Sequence, residues 1–103
     1  MTLLVIVHLY ATDSDLSALR AFEAKIQPVL AAHGGVLQTA FTPSREIGSY
    51  TELPDEVHLL RFPSSAAFQA YRADPRHLDL AAERARVICK TEFLASAALV
   101  TYD

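Results

Sequence analysis

The sequence predicts one α+β domain, residues 1–103, whose elements follow in the order β-α-β-β-α-β. An apolar run rich in β-branched residues occupies positions 2–10 and is typical of a central strand buried on both faces. Apolar side chains recur at three- and four-residue spacing over positions 16–33, as on one face of a helix. The patterns that follow predict two more strands, a second helical region and a last strand.

The composition excludes several classes of protein. Of the 103 residues, 51% are hydrophobic and the net charge is only −3, which excludes a disordered chain. The basic residues form no cluster, so nucleic acid is not an expected partner. The apolar run at positions 3–7 is too short to cross a membrane and lacks the flanks of a signal peptide. A cytoplasmic location with no membrane partner is therefore expected.

The first strand has two different sides, because successive side chains leave a strand on opposite faces. One side is wholly apolar and is assigned to the core: Leu3, Val5, Val7 and Leu9. The other side becomes polar toward its C-terminal end: Leu4, Ile6, His8 and Tyr10. This asymmetry is the first indication of a functional site.

The first helix is predicted between two end signals. Side-chain oxygens of residues 12–15 can accept hydrogen bonds from the free N–H groups of a first turn. Gly34-Gly35 can end the helix, because glycine reaches the left-handed conformation of a C-cap without strain. Pro28 lies inside the pattern and is expected to bend or break the helix.

The second half of the chain supplies the remaining elements. Residues 36–41 and 56–62 are predicted strands, joined by a polar connection at 43–54 that is long for a hairpin. Residues 91–102 are predicted as the fourth strand. The second helix begins after a serine N-cap in the segment 63–65.

The second helix is expected to be interrupted at Asp74-Pro75, because the residue before proline is pushed out of the helical conformation. The helical piece that follows has small and apolar side chains on one side: Leu78, Ala81, Ala82 and Ala85. Its charged residues are expected to face solvent.

The element order predicts a ferredoxin-like split βαβ sandwich, in which right-handed crossovers place the first and third strands side by side. The four-stranded antiparallel sheet then has two helices on one face and leaves the other face open. Leu4 and Ile6 make that open face apolar. Because an apolar face needs a cover and a second copy is the simplest one, a homodimer through the open sheet face is expected.

A series of residues in the second half forms a family-like pattern. Its members are Phe62-Pro63-Ser64, Phe68, Ala70-Tyr71, Asp74-Pro75, Leu80 and Arg84, with Gly34-Gly35 before the second strand. The pattern resembles a bacterial family of small domains of unknown function within the dimeric α+β barrel superfamily. The resemblance implies a homodimer whose two open sheets pack face to face into a barrel.

That superfamily also implies a range of activities. Relatives include cofactor-independent monooxygenases that act on polyketide quinols, haem-degrading monooxygenases and muconolactone isomerases. The family that this sequence resembles has no agreed reaction, so the resemblance assigns no catalytic residue. The long connection at 43–54 departs from the family pattern.

His8 and Tyr10 are the candidate catalytic pair. They lie two residues apart on a strand, so their side chains leave the same face, which should point into the dimer barrel. The histidine could act as a general base, and the tyrosine hydroxyl could donate to an oxyanion. The alternative is a polar cap on a buried sheet, with both groups satisfied by their neighbours.

His58, Arg61 and Tyr71 are candidate substrate-binding residues. His58 and Arg61 lie on the third strand at an odd separation, so they face opposite sides, and the sequence leaves open which side meets the barrel. Arg61 would anchor a carboxylate or enolate if it faces the barrel. Tyr71 and Arg84 could instead be determinants of the fold.

No cofactor and no metal site are expected. The four histidines show no helical pairing, there is no phosphate-binding loop, and Cys89 is a lone cysteine expected to be an inert core thiol. His77 could be compared with a haem ligand, but the tryptophan that accompanies haem in the relatives is missing.

Two functions remain open at this point. One is a cofactor-independent monooxygenase or isomerase that acts on a small aromatic or enolisable substrate. The other is a non-catalytic dimeric domain that binds a small metabolite or serves as a structural module.

Overall fold

The computed structural model describes residues 2–102 and has the predicted order of elements, with additional breaks in the second helical region. The elements are β1 (Leu3–Ala11), α1 (Leu16–Ala32), β2 (Val36–Phe41), β3 (Glu56–Phe62), α2 (Ser65–Ala73), α3 (Pro75–Asp79), α4 (Ala81–Val87) and β4 (Ile88–Ala95). A single 3-10 turn, Thr12–Ser14, joins β1 to α1.

The strands form one antiparallel sheet in the order β2-β3-β1-β4. The predicted neighbours β1 and β3 are adjacent, and Val7 of β1 pairs with His58 of β3 and Phe93 of β4. All helices that pack on the sheet lie on the face that carries Val5 and Leu9, where the buried core is found. The predicted ferredoxin-like α+β fold is therefore confirmed.

The ends of the helices follow local chemistry. Asp15 caps α1 by accepting a hydrogen bond from the Ala18 amide, and Ser64 caps α2 in the same way at Ala67. Gly34 ends α1 with a φ of 73°, as a left-handed C-cap requires.

Close packing around Gly35, just before β2, leaves no room for a side chain. A Cβ atom on Gly35 would lie 2.6 Å from Leu30 Cδ1 and 2.8 Å from Phe62 Cε1. The end of α1 and the ring of Phe62 therefore approach each other across the bare backbone of this glycine.

The break predicted as one outcome at Pro28 is absent. The helix α1 is not broken at Pro28, which is exposed while five residues on the opposite side are buried. Packing of that apolar face holds the helix together although the proline lacks an N–H donor. On α3 and α4 the small and apolar side chains are exposed in this chain, with Leu78 at 58%, and so are the charged Arg76, Asp79 and Arg86, which were expected to face solvent.

Two predictions for the end of the chain are wrong. The strand β4 begins at Ile88 and ends at Ala95, because pairing with β1 extends no further: Ser96 N donates to Leu4 O at 2.8 Å and closes the ladder. Cys89 is exposed, not in the core. It lies where the β1–β4 register shifts, and its thiol donates to the carbonyl of Tyr10 at 3.3 Å.

The other face of the sheet has no helix on it. Side chains of all four strands contribute to this open face, among them Ile6, Val36, Phe41 and Leu94, which are between 36% and 63% exposed. The predicted apolar open face is therefore present. Within residues 2–102, no helix combines the length and apolar character needed to span a membrane.

Candidate functional site

A cavity of about 210 Å³ lies between the sheet and the helices. Its apolar wall comes from the core side of the sheet and from α1 and α2: Val5, Val7, Leu9, Phe22, Ile26, Leu30, Leu60, Phe68 and Phe93. Polar side chains also line it, and five of them converge from five different elements: Glu23, His58, Tyr71, His77 and Arg84. Three more complete the polar lining: Gln27, Arg72 and Thr91. An apolar cavity with a few convergent titratable groups is the usual form of a small-molecule site.

The imidazole of His58 is held from one side by a buried carboxylate. Its Nε2 lies 2.9 Å from Glu56 Oε2, and the other oxygen of Glu56 accepts from Arg20 Nε at 3.0 Å. Burial opposes the charge on Glu56, but the hydrogen bonds from His58 and Arg20 prevail and lower the pKa of that carboxyl. Glu56 is therefore an anion that fixes the ring of His58.

Glu23 approaches the other side of the same ring. Its Oε2 lies 4.0 Å from His58 Nδ1, just beyond hydrogen-bonding distance. Burial raises the pKa of the Glu23 carboxyl, although His58 and Arg84 pull it down. A carboxyl whose pKa is raised by burial is a stronger base when ionised, and such a group can accept and return a proton.

Tyr71 and His77 form the wall of the cavity toward α3. Their rings meet edge to face with centroids 4.7 Å apart. Burial, and then the charge of Glu23, raise the pKa of Tyr71 to about 12, so its hydroxyl keeps its proton and can donate it in a hydrogen bond. Burial and the charges of Arg84 and Arg72 lower the pKa of His77, so this imidazole is held neutral.

Two arginines stand at the same end of the cavity. Arg84 Nη2 donates to Thr91 Oγ1 at 2.9 Å, which fixes the guanidinium against β4. The Arg72 guanidinium lies 5.7 Å from the ring centroid of Phe68 and 5.2 Å from that of Phe93. Glu23 can take a proton from a molecule bound in the cavity, and the guanidinium groups of Arg72 and Arg84 can stabilise negative charge on that molecule.

The structure separates the residues that the sequence singled out. His58 lies on the face of the sheet that the helices cover, Tyr71 lies on α2, and both side chains line the cavity. Arg61 lies on the opposite face, because it pairs with Leu4 of β1 and Val36 of β2, and it is exposed. The open question about β3 is thereby answered: the set that contains His58 meets the helices, and the set that contains Arg61 belongs to the open face.

His8 and Tyr10 also lie on the open face, away from the cavity. The His8 ring meets Tyr50 of the long connection at a centroid distance of 6.0 Å. The Tyr10 hydroxyl donates to Glu92 Oε1 at 2.7 Å, and this bond, followed by burial and nearby carboxylates, raises the pKa of Tyr10 to about 12. The catalytic role of the pair stays a prediction.

The sequence reasoning did not single out Glu23 as part of a site. A signal was present, because Glu23 stands four residues after Leu19, three before Ile26 and seven before Leu30. These spacings put a carboxyl in the apolar stripe of α1, where a charged side chain is rare unless it is paired or functional. Arg72 could not be found in this way, since it is an exposed arginine on α2, as is usual for a charged residue of a helix.

Among residues 2–102, no group of three or more His, Cys, Asp or Glu side chains is arranged to hold a metal ion. The polar lining of the cavity is instead a set of proton-transfer and hydrogen-bonding groups.

Solved structures with the same fold include several bacterial proteins. A protein of unknown function from Rhodopseudomonas palustris is 19% identical, with a TM-score of 0.78 over 97% of this chain and 84% of that chain. A dimeric ferredoxin-like protein of unknown function from Bacteroides fragilis is 13% identical, with a TM-score of 0.64 over 92% and 94%. A candidate antibiotic biosynthesis monooxygenase from Caulobacter crescentus is 13% identical, with a TM-score of 0.72 over 96% and 91%.

These similarities define the class of the protein, a ferredoxin-like α+β domain. The predicted likeness to ferredoxin-like proteins of unknown function and to antibiotic-biosynthesis-type monooxygenases is confirmed at the level of the fold. No protein-family model matches the sequence, and no match is found among curated proteins.

Proposed function

We propose that the cavity binds a small enolisable molecule and that Glu23 acts on it as a general base, without a cofactor. The observation that carries this proposal is the convergence of Glu23, His58 and Tyr71 on one mostly apolar space of about 210 Å³. Exclusion of water from such a space strengthens the electrostatic interactions of the reacting groups.

The surroundings of each side chain indicate its role in the reaction. Glu23 takes a proton from a carbon next to a carbonyl group, and the electron pair of the C–H bond moves to the carbonyl oxygen. His58, fixed by Glu56, faces the charge that moves on and off Glu23. The Tyr71 hydroxyl, which keeps its proton, is suited to donate to the enolate oxygen.

Two reactions follow from one enolate. In an isomerase, the protonated Glu23 returns the proton to a different carbon and no other reactant is needed. In a monooxygenase, dioxygen is the second substrate: a ring CH₂ becomes C=O, and the second oxygen atom leaves with both hydrogens as water. The likeness to a candidate antibiotic biosynthesis monooxygenase supports the second reaction.

We also propose that two copies pair through the open sheet face. The exposed apolar side chains of that face and the dimeric state described for the Bacteroides fragilis protein support this assembly. In such a dimer His8, Tyr10 and Arg61 would lie between the two sheets. Because the Tyr10 hydroxyl is already engaged with Glu92, the cavity offers the better site for catalysis.

The test measures proton exchange before any product is known. Monocyclic enolisable ketones and hydroquinones are incubated with the protein in D₂O, and NMR follows deuterium incorporation while an electrode follows oxygen uptake. Glu23→Gln should reduce exchange by roughly 10²–10⁴-fold, the usual contribution of a positioned general base. The matched control is Glu83→Gln, because Glu83 pairs with Lys25 away from the cavity lining.

The outcomes separate the two open functions. Exchange that survives in Glu23→Gln would overturn the role of Glu23. Binding of the probes with no exchange above that of buffer would leave a binding domain and refute catalysis. Exchange lost equally in both variants would point to general damage to the fold.

A further inference from the structure

Positively charged side chains gather where the cavity reaches the surface. A second and more open depression, outside α3, α4 and β4, adjoins the cavity. The two spaces share four lining residues: Arg72, His77, Arg84 and Thr91. A molecule that enters the cavity by this route passes the side chains of Arg72 and Arg84, which line both spaces.

The two arginines are not neutralised by the described part of the chain. Within residues 2–102, neither Arg72 nor Arg84 lies within 4.0 Å of a carboxylate oxygen. Arg72 rests on the rings of Phe68 and Phe93, and Arg84 donates only its Nη2 to Thr91. Since a guanidinium has five N–H donors, most of the donors of both side chains are available to a ligand.

The carboxylates around this junction do not remove its positive charge. Asp74, which precedes α3, accepts from Arg76 Nη2 at 2.8 Å and lies 2.8 Å from His33 Nε2. Glu23 lies in the cavity and makes no ion pair with either guanidinium, so even when Glu23 is ionised one carboxylate faces two guanidinium charges. Two other basic side chains line the depression. Burial and the neighbouring arginines lower the pKa of His77 and so favour its neutral form, and the Lys90 ammonium lies 3.5 Å from a carboxylate oxygen of Glu52.

We infer that this junction binds a carboxylate group, held by Arg72 and Arg84, on a ligand whose single ring lies in the apolar cavity. The inference rests on the cavity being the ligand site, as proposed above, and does not depend on catalysis. Two guanidinium groups recognise a carboxylate well, because their N–H forks match the two carboxylate oxygens.

The volume limits the rest of the ligand. An apolar cavity of about 150 Å³ is enough to hold one benzene molecule. The present cavity of about 210 Å³ therefore holds one ring with a small substituent, and two or three fused rings exceed the space of the cavity itself. The ligand class is thus a monocyclic carboxylic acid.

The inference can be tested on the wild-type protein alone. Calorimetry compares benzoate with benzamide, which has nearly the same shape and no charge, and with 2-naphthoate, which has a second ring. Benzoate should bind roughly 10–100-fold more tightly than benzamide, as expected for hydrogen bonds to a charged group. It should also bind more tightly than 2-naphthoate. Equal affinity for benzoate and benzamide would overturn the carboxylate site, and tighter binding of 2-naphthoate would overturn the size limit.

Single substitutions test which arginines bind the carboxylate of benzoate. Arg84→Gln and Arg72→Gln should each weaken benzoate binding by about tenfold or more and leave benzamide binding unchanged. Arg86→Gln is the matched control, because Arg86 lies on the same helix as Arg84 and is exposed outside both spaces. An equal loss in Arg86→Gln would show non-specific attraction and refute the site. Thermal unfolding checks that each variant is folded.

The two proposals fail in different ways. Benzoate binding without proton exchange in any probe would leave the carboxylate site standing and remove the general base. Proton exchange that depends on Glu23, with no preference for benzoate over benzamide, would support the general base and refute the carboxylate site.

Discussion

Replacing Leu94 by lysine tests the dimer proposed through the open face. Leu94 lies on the edge strand β4, is 63% exposed on the open face and pairs with Ile6 of β1. Complete burial of a leucine side chain is worth about 1.5–3 kcal/mol, so covering its exposed part is worth about 1–2 kcal/mol. A two-fold interface contains the residue twice, and the loss is about 2–4 kcal/mol per dimer.

This loss corresponds to a rise in the dimer dissociation constant of roughly thirtyfold to several hundredfold. Sedimentation equilibrium measures the constant directly, with a subunit mass of 11.3 kDa. Leu78→Lys is the matched control, since Leu78 is exposed to a similar extent, 58%, but lies on α3. A wild-type protein that is monomeric at every concentration, or a Leu94→Lys protein with an unchanged dissociation constant, would refute the reasoning.

Two further predictions concern one chain. Gly35→Ala should lower the free energy of unfolding by about 1–3 kcal/mol in urea, because the new methyl group meets Leu30 and Phe62; wild-type stability would contradict this contact. The pKa of His77, followed by NMR titration of its ring protons, should lie below the usual value and rise in Arg84→Gln; an unchanged value would mean that Arg84 does not act on it. Because the folded pKa is lowered, His77 contributes stability above its unfolded pKa, and this contribution is lost as the pH falls through the folded value.

The faces of β1 were predictable and those of β3 were not. In β1 one alternate set is wholly apolar, so its side of the sheet follows from the pattern alone. In β3 both sets contain large apolar residues, Val57 and Leu59 in one and Leu60 and Phe62 in the other. Only the pairing register with β1 shows which of the two sets faces the helices. A register is defined by two strands together, so the β3 pattern alone cannot supply it.

The candidate site was predictable only in part. His58 and Tyr71 stand out by residue type, but nothing in the sequence shows that they share a cavity with Glu23. They come from β3, α2 and α1, and their convergence depends on how the helices sit on the sheet. The break between α3 and α4 at Leu80 shows the same limit, since neither proline nor glycine marks it.

The central position of β1 affects how this protein can change. Val5, Val7 and Leu9 form part of the cavity wall, and Leu4 and Ile6 belong to the open face. A substitution in this strand therefore alters either the ligand space or the proposed contact between copies. The short helices α2, α3 and α4 touch only the ligand side, so new ligand preferences can arise there while assembly is preserved. We expect selections for altered ligand affinity to yield substitutions in residues 65–87 far more often than in β1.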